Sequence, residues 1–372
     1  MRILHVFKTY YPDTVGGIEH VISQLSWALQ KRGHESRIFT LSPDPRPAVL
    51  HRPEGEVHRS QRTVDIASVP LSVRALWEFR RHARWADVIH YQYPWPFADV
   101  LYFLWGRGKP AVVSYQSDIV KQKWALKVYA PMRECFLRAV DSVVATSPGY
   151  IRSSDVLSRL PREIALIPNG IEESEYPQPS AEAIRKWRNR VGEDFFLFVG
   201  VPRYYKGLHT LVEAANGFPG KVVIAGDGPG VAALQEQIAD AGLSNVELVG
   251  HVSEEDKMGL LHLCRAFVFP SHVRTEAFGM ALVEASMASR PMVTCDISTG
   301  TTYVNEEGVT GHVVPPEDPE RLRSAMQDLL DRADVAREMG EAARRRFDEL
   351  FTADAMAGRY EALYREVAMA RR

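Results

Sequence analysis

The chain is poor in cysteine and has no long apolar run. Its 372 residues include only three cysteines, which are widely spaced and odd in number. This usage argues against a disulfide framework or a zinc cluster built on cysteine, and it fits a reducing compartment. No apolar run approaches the roughly 18 residues of a membrane span, and the one in the N-terminal stretch MRILHVFKTYYP is too short for a signal peptide. We therefore predict a cytoplasmic protein without a membrane-spanning helix.

An excess of charge of either sign is also lacking. The chain has 45 basic and 47 acidic side chains, and this balance argues against a nucleic-acid partner. The sequence contains no D-x-D pair that could hold a divalent ion. A hydrophobic fraction of 45% over 372 residues predicts instead a packed protein that is long enough for two domains.

Short apolar runs rich in β-branched residues alternate with helical patterns along the chain, which is typical of parallel sheets with crossover helices. The predicted strands cover residues 2–7, 36–41, 87–92, 111–116, 141–147 and 163–168, and then 194–200, 221–226, 246–250, 266–270 and 291–297. The polar, proline-containing segment 169–180 between the two groups is predicted to be a linker. The fold class is therefore α/β, with two doubly wound domains in tandem.

Ligands of such sheets lie beyond the carboxyl ends of the strands, so functional residues are expected in the loops that follow the strands. Gly16 and Gly17 precede a helix after the first strand, and they suit either a phosphate at the helix N-terminus or a plain tight turn. Arg203 and Lys206 follow the strand DFFLFVG and can clamp a diphosphate, although solvated surface cations look the same. The GDGPG turn at 226–230 resembles a dinucleotide motif only weakly, because no acid suited to a ribose ends the next strand.

The stretch EAFGMALVE, residues 276–284, places two acids on either side of an apolar run. We expect Glu276 in a loop, Gly279 near a helix start and Glu284 within that helix. Carboxylates accept hydrogen bonds from hydroxyl groups, so the two acids are suited to opposite ends of one sugar-containing ligand. Two surface acids on an amphipathic helix are the alternative.

These segments together resemble a known family. EAFGMALVE is similar to the E-x7-E motif of the retaining glycosyltransferases of family four, which have the GT-B fold of two Rossmann-like domains facing a cleft. DTVGGIEHVI, FVGVPRYYKGLHTLVEA, GDGP, PSHVRTEAFG and GVTGHVVPPEDPERL match in the same order, so the resemblance covers nearly the whole chain. It implies an acceptor-binding domain at 1–172, a nucleotide-sugar-binding domain at 173–350, and a helix at 351–372 that packs back on the first domain.

The resemblance also implies roles for individual residues. The predicted catalytic residues are Glu276 at the donor sugar and Arg203 and Lys206 at the pyrophosphate. Glu284 is expected to bind the ribose. The remaining donor-binding residues are Gly16, Gly17, Gln116, Gly200, Phe278 and Gly279. No metal and no cofactor are expected, because the family generally works without a metal.

Three positions depart from the family pattern. Val201 stands where the family often has arginine, so Arg203 is assigned to the diphosphate. Gln116 and Gln92 replace family histidines, while His90 is kept. Glutamine cannot take up a proton at neutral pH, so an acid–base role at position 116 is lost. In the family, the histidine that Gln116 replaces is associated with the 6-hydroxyl of the donor sugar. The hypothesis is a donor pocket tuned to a different sugar, such as a 6-deoxyhexose.

Basic and aromatic residues interleave between residues 72 and 138, which suits an anionic membrane surface and a lipid-linked acceptor. The candidates for this surface are Arg80, Arg81, Lys121, Lys123 and Trp124. Core aromatic rings with solvated cations behind them explain the pattern equally well.

The predicted function is transfer of a hexose, mannose or a 6-deoxyhexose such as rhamnose, from a nucleotide diphosphate sugar to a lipid-linked saccharide. The setting is lipopolysaccharide O-antigen or exopolysaccharide synthesis on the cytoplasmic face of the inner membrane, with a GDP-sugar as first choice and UDP-sugars open. One alternative is a non-catalytic nucleotide-sugar-binding subunit of a glycosyltransferase complex. Another is a GT-B epimerase or phosphorylase.

Overall fold

The computed structural model describes residues 1–66, 69–119 and 123–371, with the side chains of residues 123–126 outside that description. The chain forms two compact units. Met1–Ile171 and Ala353–Arg372 make up the first, and Glu172–Thr352 the second. The boundaries predicted from the sequence lie after residues 172 and 350.

The first unit contains a largely parallel sheet and a small hairpin. Its strands are β1 (Arg2–Val6), β2 (Glu35–Ser42), β3 (Val49–Arg52), β4 (Gly55–Gln61), β5 (Val64–Ile66), β6 (Val69–Leu71), β7 (Val88–Tyr93), β8 (Ala111–Tyr115), β9 (Ser142–Ala145) and β10 (Ala165–Leu166). The large sheet has the order β10-β9-β8-β7-β1-β2-β4-β3, and only β3 runs antiparallel, while β5 pairs with β6. Every residue of β7 and β8 is buried, as expected for central strands covered on both faces.

The second unit contains a fully parallel sheet. Its strands are β11 (Phe196–Val199), β12 (Val222–Ala225), β13 (Val246–Gly250), β14 (Ala266–Phe269), β15 (Met292–Cys295) and β16 (Gly311–Val314). Their order is β13-β12-β11-β14-β15-β16. The chain winds from β11 toward one edge of the sheet and then from β14 toward the other edge, as in a doubly wound sheet. The predicted α/β architecture with two parallel sheets is confirmed. The carboxyl ends of β11 and β14 lie side by side, and this brings the loops that follow them together.

Helices connect most of the parallel strands in both units. They are α1 (Gly17–Lys31), α2 (Val73–Trp85), α3 (Pro96–Leu101), α4 (Lys123–Ala139), α5 (Pro148–Ser153), α6 (Ala181–Val191), α7 (Leu208–Ala215), α8 (Val231–Asp240), α9 (Glu254–Leu263), α10 (Met280–Met287), α11 (Thr301–Val304), α12 (Pro319–Asp331), α13 (Ala333–Arg346) and α14 (Ala353–Ala370). Serine side chains accept a backbone N–H at the starts of α2, α5, α6 and α9, which fixes where these helices begin. Among the described residues, no helix has both the length and the apolar character needed to cross a membrane.

Helix α14 packs against α1 within the first unit. Arg32 at the end of α1 forms ion pairs with Asp354 at 2.8 Å and Glu361 at 3.1 Å. Tyr360 and Tyr364 point inward and are fully buried. The last helix of the chain is therefore part of the interior of the first unit.

The segment predicted to be a linker is partly buried. Asn169 and Ile171 lie in the interior of the first unit, and Tyr176 is 7% exposed in the second. A short 3-10 turn covers Glu173–Glu175. The boundary between the two units falls between Ile171 and Glu172, so the segment connects the units as predicted, while its buried side chains belong to the interior of their own unit.

Candidate active site

Lys206 and Glu276 form an ion pair at the carboxyl end of the second sheet. The Lys206 Nζ lies 2.5 Å from Glu276 Oε2, and each side chain is 13% exposed. The ammonium also lies 4.6 Å from the centre of the Phe269 ring. Lys206 follows β11 and Glu276 follows β14, so the adjacency of these two strands brings the two predicted catalytic groups together.

The loop that carries Lys206 is tightly fixed. Tyr204–Lys206 form a 3-10 turn, and Gly207 then adopts a left-handed conformation with φ +68° before α7 begins. A Cβ atom on Gly207 would lie 2.0 Å from the carbonyl oxygen of Pro270. The His272 N–H donates to the Tyr205 carbonyl at 3.1 Å. The loops after β11 and β14 therefore touch backbone to backbone, and this contact requires glycine at position 207.

Arg203, the other predicted diphosphate ligand, is exposed, and no described residue pairs with its guanidinium. Val201, where the family often has arginine, is 47% exposed. Arg203 and Tyr204 line a cavity of about 450 Å³ at the N-terminal ends of α7 and α8. Arg203 is thus free to reach a ligand, whereas Lys206 is held in place.

The glycines of the GDGPG turn have a packing role. A Cβ on Gly226 would lie 2.0 Å from the Gly200 carbonyl oxygen, and one on Gly228 would lie 2.7 Å from Val201. The Gly230 N–H donates to the Pro202 carbonyl at 3.0 Å. The turn packs on the loop after β11, which explains its glycines without a dinucleotide. Gly200 itself has φ +152° and lies where β11 ends.

The EAFGMALVE stretch folds as expected from its pattern. Gly279 has φ +88° and caps α10, Glu276 precedes the helix, and Glu284 lies inside it. Phe278 is 5% exposed, and its ring packs against Phe351 at a centroid distance of 6.1 Å. Any donor-binding role of residue 278 therefore falls to its backbone.

Glu284 lies in a small polar cluster that no sequence motif marks. Its Oε1 accepts from the Tyr176 hydroxyl at 3.1 Å and from the Lys257 ammonium at 2.9 Å. Lys257, from α9, is 9% exposed and also pairs with Glu254 at 2.7 Å. Burial opposes the charge of Lys257, but Glu284 and Glu254 outweigh it and raise its pKa above the ordinary 10.5. Burial and the charge of Glu284 also raise the pKa of Tyr176.

Replacing Lys257 by methionine is expected to destabilise the protein by about 2 kcal/mol, because Glu284 would keep its charge without its cation. A lysine whose folded pKa is raised stabilises fully below its unfolded pKa. Its contribution is lost as the pH rises through the folded value, above 10.5. Urea unfolding at neutral pH measures the effect. Adding Glu284→Gln to Lys257→Met should restore part of the loss, and two additive losses would contradict the coupling.

Gly16 and Gly17 stand at the N-terminus of α1, as predicted. Gly16 is the N-cap residue, and nothing lies within 4 Å of a Cβ built on Gly17. The buried carboxylate of Glu19 folds back toward Gly16, with Oε2 2.6 Å from a Cβ placed there, and accepts from the Thr9 hydroxyl at 2.7 Å. A carboxylate thus already occupies the space beside Gly16, so an anion at this helix end would meet it.

Gln116 belongs to a buried polar network in the first unit. Its Nε2 donates to Gln92 Oε1 at 2.9 Å, and the Gln92 amide nitrogen lies 3.2 Å from His90 Nε2. His90 Nδ1 lies 2.7 Å from the Tyr364 hydroxyl on α14. Burial lowers the pKa of His90 well below its ordinary value, so the ring is neutral and one nitrogen accepts. Gln116 is 6% exposed, and one of its two amide N–H groups is already used within this network.

The predicted acceptor-side residues are only partly described. Arg80 and Arg81 are exposed on α2, and the Arg80 guanidinium lies 4.9 Å from the centre of the Trp105 ring. Lys121 and the side chains of Lys123 and Trp124 lie outside the described residues. On α2, Trp77 is 72% exposed, whereas Phe79 is fully buried and belongs to the core.

Two family descriptions match the chain, one to each half. Residues 15–175 match "Glycosyltransferase Family 4", and residues 180–346 match "Glycosyl transferases group 1".

Two relatives match over nearly their full length. The D-rhamnosyltransferase WbpZ of Pseudomonas aeruginosa is 46% identical over 353 residues, which is 95% of this chain and 93% of the relative. The O-antigen chain mannosyltransferase C of Escherichia coli is 44% identical over 364 residues, which is 98% of each chain.

Solved structures share the fold. The Anabaena protein HepE, in complex with UDP, superposes with a TM-score of 0.81 at 17% identity, over 98% of this chain and all of that one. A sucrose-phosphate synthase from Thermosynechococcus elongatus gives a TM-score of 0.79 at 22% identity, over 99% of both chains. At these identities the likeness concerns the fold alone.

Proposed function

The chain belongs to glycosyltransferase family 4, with the GT-B architecture of two Rossmann-like domains, and we propose that this hexosyltransferase extends a lipid-linked saccharide. The proposed donor is a GDP-linked mannose or 6-deoxymannose, and the proposed product is a segment of an O-antigen or a related surface polysaccharide. The names of the two full-length relatives, a D-rhamnosyltransferase and an O-antigen chain mannosyltransferase, support both the sugar class and the setting.

The observation that carries the catalytic part of the proposal is the Lys206–Glu276 pair at the carboxyl ends of β11 and β14. A nucleoside diphosphate leaves as the bond from the sugar's anomeric carbon breaks, and negative charge grows on the leaving phosphate. The Lys206 ammonium is held by Glu276 and Phe269 and can stabilise that charge without reorganising. Arg203, which is exposed nearby, can add a forked contact.

The transition state has oxocarbenium character, and the new bond joins the anomeric carbon to an acceptor oxygen. Retention places the acceptor hydroxyl on the face from which the phosphate departs, and we assign its proton to that phosphate. Glu276 then acts as a fixed carboxylate that orients the donor sugar. No metal or cofactor is part of this proposal.

Glu284 is proposed to accept hydrogen bonds from the ribose hydroxyls. Lys257 and Tyr176 support this role, because their hydrogen bonds hold the Glu284 carboxylate in a fixed position. This geometry also explains a buried lysine in α9 that no sequence motif marks. Lys257 is thus proposed as a positioning residue for the nucleoside end of the donor.

Release of nucleoside diphosphate tests the function directly. Purified protein is offered GDP-mannose, GDP-rhamnose, UDP-glucose and UDP-N-acetylglucosamine, with and without bacterial lipid extract. We expect lipid-dependent release from one of the two GDP-sugars. Release only from a UDP-sugar would overturn the donor assignment. Donor binding without release, with lipid or oligosaccharide acceptors, would instead indicate a non-catalytic subunit.

The exposed face of α2 is proposed to rest on the anionic inner membrane surface that presents the acceptor. Trp77 is 72% exposed, and Arg80, Arg81 and Arg84 are exposed one to two turns further along the same helix. Each basic residue near an anionic surface is worth about 1 kcal/mol, so Arg81→Gln should weaken binding to phosphatidylglycerol vesicles about fivefold. Co-sedimentation measures the partition.

A control for the membrane test is Arg337→Gln, which removes an exposed helical arginine from the second unit. We expect this variant to bind vesicles as the unaltered protein does. Equal partition of the Arg81 and Arg337 variants would sink the assignment of α2 to the membrane surface.

A further inference from the structure

Two histidines and a glutamate of the second unit lie close together, near the loop that carries Lys206. His209 lies in the first turn of α7, His272 follows β14, and Glu317 precedes α12. One side-chain nitrogen or oxygen of each lies within 4.8 Å of the others. His272 Nε2 is 3.9 Å from Glu317 Oε1, and the two imidazole rings are 5.1 Å apart at 89°. Three separate segments of the second unit thus bring ligand-type groups to one point.

His272 is the member of this cluster with buried, unsatisfied ring nitrogens. Its side chain is 4% exposed, and neither ring nitrogen has a hydrogen-bond partner among the described residues. Buried polar atoms in folded proteins are nearly always satisfied, and exceptions point to an ion or water. Nδ1 faces the backbone at Gly207, which leaves Nε2 directed toward Glu317.

We propose that His209, His272 and Glu317 bind one divalent transition-metal ion, with Zn²⁺ as the preferred ion. Two imidazoles and one carboxylate are a ligand set that zinc uses, with a water at the fourth position. Bond lengths near 2.1 Å place tetrahedral ligand atoms about 3.4 Å apart, so the three groups need to close by about 1 Å. Mg²⁺ and Ca²⁺ are disfavoured because they prefer oxygen ligands throughout.

The cluster is accessible from solvent. His209 lines the cavity of about 450 Å³ that also holds Tyr204 and Arg203. Tyr204 stacks on the His209 ring and meets the His272 ring edge to face, with centroids 5.4 Å and 4.9 Å apart. An ion and its water can therefore reach His209 from this cavity.

The ion would act as a clamp between the two loops of the proposed active site. His209 follows Lys206 by three residues, and His272 precedes Glu276 by four. Joining them would fix the backbone contact in which the His272 N–H donates to the Tyr205 carbonyl. The ion is distinct from the groups assigned to the transfer reaction, and its binding is measurable without a sugar donor. A failed donor assay therefore leaves this proposal standing, and the converse also holds.

Metal titration of chelator-stripped protein tests the site. Co²⁺ alone is added while the visible absorption of tetrahedral cobalt is followed, and Zn²⁺ is then used as competitor. We expect one equivalent to bind, and we expect affinity to fall at least tenfold in Glu317→Gln and to be lost in His209→Asn and His272→Asn. His262→Asn, which removes an exposed histidine of α9, is the control and should bind as the unaltered protein does.

Folding is checked separately, because His272 is buried. Glu317 is exposed, so Glu317→Gln should keep the circular dichroism of the unaltered protein while losing the rise in Tm that Zn²⁺ produces. Binding that is equal in Glu317→Gln and the unaltered protein would overturn the proposal. The absence of stoichiometric cobalt binding to the unaltered protein would do so as well.

Discussion

Replacing Lys206 by alanine is expected to lower the turnover of nucleoside diphosphate release by about 10²–10³-fold. Loss of one preorganised charge at a developing oxyanion typically has an effect of this size. The Lys206 side chain is 13% exposed and is already oriented by Glu276. Its ammonium group therefore does not have to change conformation in order to stabilise the leaving phosphate. Steady-state kinetics with saturating donor measure the change in kcat.

Two further variants separate catalysis from general ion-pair loss. Lys221→Ala breaks another lysine–glutamate pair of the second unit, with Glu247 at 2.9 Å, and should leave turnover unchanged. Lys206→Arg keeps the positive charge but replaces the compact ammonium by a planar guanidinium, so we expect it to restore turnover only in part. If Lys206→Ala kept the kcat of the unaltered protein, the assignment of Lys206 to the leaving phosphate would have to be abandoned.

Gly207→Ala is expected to destabilise the protein by about 3 kcal/mol or more, although it removes no functional side chain. Part of the loss comes from the left-handed conformation at φ +68°, which costs an alanine about 1 kcal/mol. The larger part comes from the Cβ that would lie 2.0 Å from the Pro270 carbonyl oxygen and force the loops after β11 and β14 apart. Lys206 would move with its loop, so donor affinity should fall as well.

Gly217→Ala is the matched control for this prediction. Gly217 has φ +75°, but a Cβ there meets nothing within 4 Å. It therefore reports the cost of the backbone conformation alone. Thermal or urea unfolding of both variants gives the difference. Equal losses in the two variants would mean that the contact between Gly207 and Pro270 contributes nothing.

The strands that form the centres of both sheets were predictable because they are runs of branched apolar residues. β7 and β8 are buried throughout, and burial on both faces demands such runs. The strands between Val49 and Leu71 and the short β16 were missed because they are short or mix polar with apolar residues, so no apolar run marks them. Edge position alone does not explain the difference, since the edge strands β10 and β13 were predicted.

The site divides in the same way. Lys206 and Glu276 could be located because each follows a predicted strand at its carboxyl end, where the fold class puts ligands, and Glu284 because its spacing from Glu276 matches the E-x7-E motif. Lys257 and Glu19 could not, because a single charged residue within a helix looks the same whether it pairs inward or faces solvent. Lys257 pairs with Glu284 on another helix, and Glu19 pairs with Thr9 in the loop before its own helix.

The buried network around His90 has a consequence for the order in which the protein is made. His90 lies 274 residues before its partner Tyr364, and Ser114 lies 246 residues before Tyr360. The whole of Glu172–Thr352 is synthesised between them. During translation the second unit can therefore be completed while the first still has open polar positions in its interior. Helix α14 can therefore close the interior of the first unit only after the second unit has been synthesised.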